Sequence, residues 1–174
     1  MVALEILALS VQVRILAPQP NSFVMKVIFL DIDGVLNHNA WYNSEAYYKN
    51  EYKDPDLDPN IIRMLNEITN KYDIKIVISS SWKIDSYCTE RLRKAGLENV
   101  IGCTPDLIFK IPMDIYYRGM EINEYLEEHP EVDKYLILDD ISDFDSEQLR
   151  FFYKINYQVG IIDVDISFIE QFFK

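Results

Sequence analysis

The chain of 174 residues carries 29 acidic against 17 basic side chains, a formal net charge of -12, with 49% hydrophobic residues. That length buries one substantial core and is too short for two ordinary domains, and the composition is globular rather than disordered. The acidic balance excludes nonspecific electrostatic capture of long nucleic acids, so a phosphate-bearing substrate needs locally placed cations or a metal ion.

Residues 1–10 are apolar, but the stretch lacks a basic start, carries Glu5 and shows no small-residue cleavage site, so it does not read as an export signal. It is also too short to cross a bilayer, and no membrane association is expected. Residues 1–24 read as an amino-terminal extension, either disordered or a misassigned start, ahead of one domain over 25–174.

The first core strand is Val27-Ile28-Phe29-Leu30, which delivers Asp31 and Asp33 at its carboxyl end and then turns at Gly34. Period-two spacing puts the two carboxylates on one side of the strand, where they repel unless a cation or a shared proton offsets them. Such a pair holds a hard metal or does acid/base work. Residues 38–58, with Trp41, Tyr42, Tyr47, Tyr48 and Tyr52 among charges, read as a short flap or helical insert over the site. Asp58 is the expected N-cap of a helix with Pro59 in its first turn, and Ile61, Ile62, Leu65 and Ile68 carry it to about Tyr72.

A second buried strand over 74–78 ends in Ser79-Ser80-Ser81-Trp82. A helix over 86–95 stops at Gly96, and Val100-Ile101 form a short strand. Cys88 and Cys103 have no CxxC spacing, so both read as ordinary thiols of a reducing, cytoplasmic compartment. A helix over 119–129 precedes a strand over 135–138 that ends in Asp139 and Asp140. The remaining expectations are a helix over 145–152, a last strand over 157–162 and an amphipathic helix over 166–173. Strands alternating with helices imply an α/β protein with a Rossmann-like, doubly wound parallel sheet, a small insert after the first strand and no large cap. In such a sheet the carboxyl ends of the strands share one edge, so Asp31 and Asp33, the serine triplet, and Asp139 and Asp140 converge on one pocket.

On these motifs the chain resembles the haloacid dehalogenase (HAD) superfamily of phosphotransferases from about Lys26 to the carboxyl end. The matching parts are DxDGVLN over 31–37, the strand ending in serine over 74–81, a basic residue upstream of the fourth motif, and LILDD over 136–140. RGMEI over 118–122, followed by a helix and LILDD, is similar to the phosphatase-type HAD domains of Swiss Army Knife RNA repair-type proteins.

The resemblance implies a HAD-like fold and a Mg²⁺-dependent phosphatase acting on a phosphomonoester, whether a phosphorylated small molecule, a nucleotide or a nucleic-acid end. It implies Asp31 as the nucleophile that becomes an aspartyl phosphate, and Asp33 as the acid that protonates the leaving oxygen and later activates water. Metal ligation is implied for Asp31, for the backbone carbonyl of Asp33, for Asp139, and for Asp140 through a bound water, with Asp143 as a further candidate. Strand register favours Ser80 as the hydroxyl on the transferring phosphoryl group, with Ser79 and Ser81 as alternatives. Arg118 is the chosen third-motif cation and Lys110 its substitute.

Trp82 and the insert tyrosines are candidates to stack on a base or sugar, set against the plainer expectation that aromatics fill the core. His38 reads as a substrate contact or a surface histidine, and His129 as a structural residue at a helix end. Asp163 and Asp165 receive no ligand role. The rival functions are a catalytically silent HAD-fold binding or regulatory protein, a small-metabolite phosphatase and a metal-dependent nuclease. Presence of both Asp31 and Asp33 argues against the silent form, and a phospho-intermediate on Asp31 separates a phosphatase from a nuclease.

Overall fold

The computed structural model of the protein describes residues 24–49 and 54–174. The extension assigned to residues 1–24 therefore lies, apart from Val24, outside the described residues, as does Tyr52 of the insert. Five parallel strands, β1 Met25–Leu30, β2 Ile74–Ile78, β3 Val100–Cys103, β4 Val132–Asp139 and β5 Phe152–Lys154, form one sheet in the order β3-β2-β1-β4-β5. The strand order reverses direction at β1, which places the first Asp motif at the crevice where such sheets bind ligands.

Alternation along β1 divides the core. Ile28 and Leu30 pack in the larger cluster, with Ile61, Leu65 and Ile68 of α3 (Pro59–Tyr72), Leu92 of α4 (Cys88–Ala95), and Ile169 and Phe173 of α6 (Asp163–Phe173). Val27 and Phe29 point into the smaller cluster, with Ile122 and Tyr125 of α5 (Arg118–Glu128). Both faces are covered, as a parallel sheet of β-branched and aliphatic residues requires. None of the described helices is long and apolar enough to cross a membrane.

Register decides what reaches the edge. Leu30 sits opposite both Ile78 and Leu138, so the three central strands finish level. The next bonds continue the ladder, from Asp31 N to Leu138 O at 3.0 Å and from Ser79 N to Leu30 O at 2.9 Å.

The insert after β1 holds two short helices, α1 Asn39–Tyr42 and α2 Glu45–Lys49. Of the two readings of His38, the surface histidine fails: it is 7% exposed, its Nδ1 accepts from Trp41 N, and its Nε2 lies 3.0 Å from Asp58 Oδ2. It caps α1 and ties the insert to the N-cap of α3. The amides of Asn39 and Ala40 bond the carbonyls of Tyr157 and Gln158. His129, at the end of α5, stacks on Tyr125 and bonds Glu131.

Two expectations near the carboxyl end fail for identifiable reasons. The helix expected over 145–152 is a single 3-10 turn at Gln148–Phe151, and Phe152 opens β5 instead. Asp145 caps this turn through the amides of Glu147 and Gln148, but Gln148 is drawn away to Gly119 O and Asn123 and Phe152 pairs with Ile137 at the edge of β4, so the turn does not extend into a helix. The strand expected over 157–162 is a turn. Asn156 O accepts from Val159 and Gly160 while the neighbouring carbonyls serve α1, leaving no ladder to join. The last helix starts at Asp163, earlier than expected, because Asp165 accepts the amide of Ile162 at 2.8 Å and closes its amino end.

Asp58 and Asp54 make the insert boundary sensitive to acid. Burial works against the charged form of Asp58, but bonds from His38 and Asn60 N outweigh it and hold its carboxyl below the usual range. Burial is likewise outweighed at Asp54 by bonds from Arg91. Because both folded-state values lie below the unfolded ones, this stabilisation is present above the ordinary carboxylate range near ~4 and is lost as pH falls through the depressed folded values. Asp58→Ala is expected to cost about 1–3 kcal/mol in urea denaturation. Asp58→Asn keeps a competent cap and should lose less stability than the wild type between neutral pH and pH ~3.

Candidate active site

At the level edge of β1, β2 and β4 the first residues beyond the core are Asp31, Ser79 and Asp139. Asp31 is 5% exposed and Asp139 2% exposed. Two buried carboxylates this close require a counter-charge. Arg118, the first residue of α5, supplies it: its Nη1 lies 2.8 Å from Asp31 Oδ1, 2.8 Å from Asp139 Oδ2 and 2.9 Å from Ser79 O. Asp143 sets where α5 begins, its carboxylate accepting Arg118 N at 2.8 Å and its carbonyl accepting Gly119 N. Asp143 thereby serves the helix start and stands outside the carboxylate cluster.

The guanidinium does not fully offset the cost of burial. Desolvation raises the Asp31 carboxyl despite Arg118 and a bond from the Ser80 hydroxyl. Asp139 is pushed up to about 7, chiefly by burial and then by the charge of Asp31, with Arg118 opposing. Asp140 joins them: one oxygen from each of Asp31, Asp139 and Asp140 lies within 4.8 Å of the others. This crowded, all-oxygen donor set, holding more negative charge than one guanidinium offsets, fits a small hard divalent cation.

Gly34 makes the crowding possible. It sits at φ +78°, and a Cβ there would meet Asp140 Cγ and Oδ2 at 2.8 Å. The turn after β1 and the acids after β4 approach this closely because no side chain stands between them.

The Asp33 carboxylate stands apart from the three. Trp82 Nε1 donates to both of its oxygens, at 3.0 and 3.1 Å, and Asn37 Nδ2 donates at 2.8 Å while Asn37 Oδ1 accepts Gly34 N. Arg91 lies 4.3 Å from the centre of the Trp82 ring, so one face of the ring suggested for substrate stacking is covered. Of the serines, Ser80 is buried and bonds Asp31, Ser81 is exposed and lines the cleft, and Ser79 is buried, its hydroxyl without a partner among the described residues. Lys110 is not brought to the site. It is exposed in the loop after β3 and lines no part of the cleft, because that loop turns back through Lys110 N to Leu107 O. Arg118 is the cation that reaches Asp31.

Asp31, Asp33, Arg118 and Asp140 line an open cleft of about 440 Å³ whose walls include Tyr42 from α1 and Tyr157 from the loop after β5. Sequence reasoning missed the pair beneath it. Lys83 and Glu121, 7% and 1% exposed at the side chain, form a buried ion pair that also engages Thr104, and Glu121 accepts Leu107 N at 3.1 Å. A signal was present, since Glu121 lies one helical turn from Arg118 within RGMEI.

A model of the family described as the HAD domain in Swiss Army Knife RNA repair proteins matches residues 27–166. No curated protein and no solved structure gives a significant match.

Gly34→Ala is expected to destabilise the fold by about 1–2 kcal/mol from backbone conformation alone and to displace Asp140. Thermal unfolding measures the first effect. Weaker divalent-cation binding in calorimetric titration, compared with the wild type, measures the second.

Proposed function

Because the chain belongs to the family of HAD domains found in Swiss Army Knife RNA repair proteins, we propose that it is a Mg²⁺-dependent phosphomonoesterase working through an aspartyl phosphate on Asp31. The observation that carries this reading is the Asp31 carboxylate bonded to Arg118 and Ser80 and within 4.8 Å of Asp139 and Asp140. A carboxylate attacks phosphorus without first losing a proton, and one hard displacement becomes two easier ones.

In the first step Asp31 forms a bond to phosphorus as the ester P–O bond breaks, and the Asp33 carboxyl gives its proton to the departing oxygen. In the second step Asp33 takes a proton from water as that water attacks phosphorus, releasing inorganic phosphate and restoring Asp31. Trp82 and Asn37 aim the Asp33 carboxyl for both transfers. Arg118 and the Ser80 hydroxyl orient the phosphoryl oxygens, and positioning with charge neutralisation supplies most of the catalysis in this chemistry. Mg²⁺ on Asp31, Asp139, Asp140 and the Asp33 carbonyl would add positive charge against the phosphate oxygens.

The insert is two short helices rather than a cap domain, and the cleft stays open to a bulky leaving group. The family description favours a nucleotide or nucleic-acid end over a small metabolite as that group.

Release of phosphate from p-nitrophenyl phosphate and from a panel of phosphorylated metabolites, nucleotides and oligonucleotides tests the reading. Asp31→Asn should abolish turnover while circular dichroism shows a folded chain, and Asp33→Asn should cost about 10²–10⁴-fold. Chelation should remove activity and Mg²⁺ restore it. Full turnover by Asp31→Asn would reject the nucleophile.

A further inference from the structure

On the β5 side the cleft does not end at Asp140. A second groove of about 530 Å³ shares Asp140, Ile141 and Tyr157 with it and continues along Ile155 and Asn156 to Lys154, the last residue of β5. The catalytic cleft alone already falls in the range of a small-ligand site, roughly 300–1,000 Å³. The second groove extends that site in one direction.

Apart from Asp140, which the two spaces share, the lining of the extension carries no acid. Tyr157 is 50% exposed and Ile141 60% exposed, so a ring and a branched aliphatic chain stand in water at the junction of the two spaces. Beyond them Lys154 is exposed, and among the described residues its ammonium has no carboxylate partner. An aromatic wall followed by an unpaired cation is how proteins hold a base and the phosphate next to it. On the insert side the character is reversed: Asp33 and Tyr42 line the cleft, and Arg91, stacked on the Trp82 that bonds Asp33, is already bonded to Asp54 and Asp56. A second phosphate on that side would meet acids.

We infer that the leaving group runs from Asp31 toward β5, its terminal base against Tyr157 and Ile141 and its next phosphodiester on Lys154, so that the substrate is the phosphorylated end of a single-stranded nucleic acid read over two nucleotides. This rests on the phosphatase reading and adds direction and length to it. One cation ends the contact, and a chain of net charge -12 gains nothing from a longer polyanion.

The test uses thymidine and uridine oligonucleotides of one, two and four residues, phosphorylated at either the 3′ or the 5′ end, with p-nitrophenyl phosphate as the reference ester. For the end that is hydrolysed, kcat/KM should rise about tenfold from one residue to two and stay level to four. Lys154→Gln should erase that gain and lower the salt dependence of dinucleotide turnover by about one phosphate contact. Tyr157→Ala should lower kcat/KM of the one- and two-residue substrates alike while leaving p-nitrophenyl phosphate turnover unchanged, and Tyr157→Phe, which keeps the ring, should restore it. Anisotropy of a fluorescein-labelled phosphorylated dinucleotide reads the groove without turnover, and Lys154→Gln should weaken binding about tenfold. Turnover of the reference ester with equal kcat/KM at all three lengths, a gain that continues to four residues, or equal dinucleotide affinity in Lys154→Gln would each overturn the inference while leaving a phosphatase in place. Loss of all turnover with length-dependent binding intact would overturn the phosphatase instead.

Discussion

Arg118 holds together what three strands bring apart. Its single Nη1 serves Asp31, Asp139 and the carbonyl of Ser79, so one guanidinium joins the ends of β1, β4 and β2. Without that positive charge, two carboxylates would face each other in a region almost closed to water, where an unpaired ion is severely penalised. The residue owes its position to the loop after β4, where Asp143 accepts the first amides of α5. Asp139 on the strand and Asp143 four residues later thus act on the two ends of one arginine, its side chain and its backbone.

The supports beneath Arg118 are as polar as the site above it. Glu121, one turn along α5, is tied to Lys83 from the 3-10 turn after β2 and to Leu107 N from the loop after β3. α5 therefore cannot shift along the sheet edge without exposing or separating a buried ion pair, a change that typically costs about 3–5 kcal/mol. Rigidity of this kind suits phosphoryl transfer, where the protein contributes position and fixed charge more than covalent chemistry.

Much of this architecture was legible in the residues themselves. The β1 run ends in acids, α3 has Asp58 and Pro59 at its start, and Gly96 stops α4 in a left-handed conformation, so local chemistry and final structure agree. The resemblance carried by DxDGVLN, RGMEI and LILDD pointed to the family whose model matches residues 27–166. What escaped depends on partners distant in sequence. Nothing in 145–152 announces that Gln148 will be taken by Gly119 and Asn123 on α5, or that Phe152 rather than Tyr157 will meet the edge of β4. A surface position stood among the readings of His38 because its partner, Asp58, lies 20 positions away. Lys83 drew no reading for the same reason, its partner Glu121 lying 38 positions away.

The bonds from Asn39 and Ala40 to Tyr157 and Gln158 stitch the lip contributed by the insert to the lip contributed by the β5 loop. In many enzymes one rim of a cleft is a free door that swings against a fixed frame; here both jambs are joined at the top, so the doorway has a set width. Widening it to admit a different guest would take coordinated change in two segments more than a hundred residues apart in sequence, which makes the size of the opening an inherited property of the fold rather than an adjustment made at each encounter.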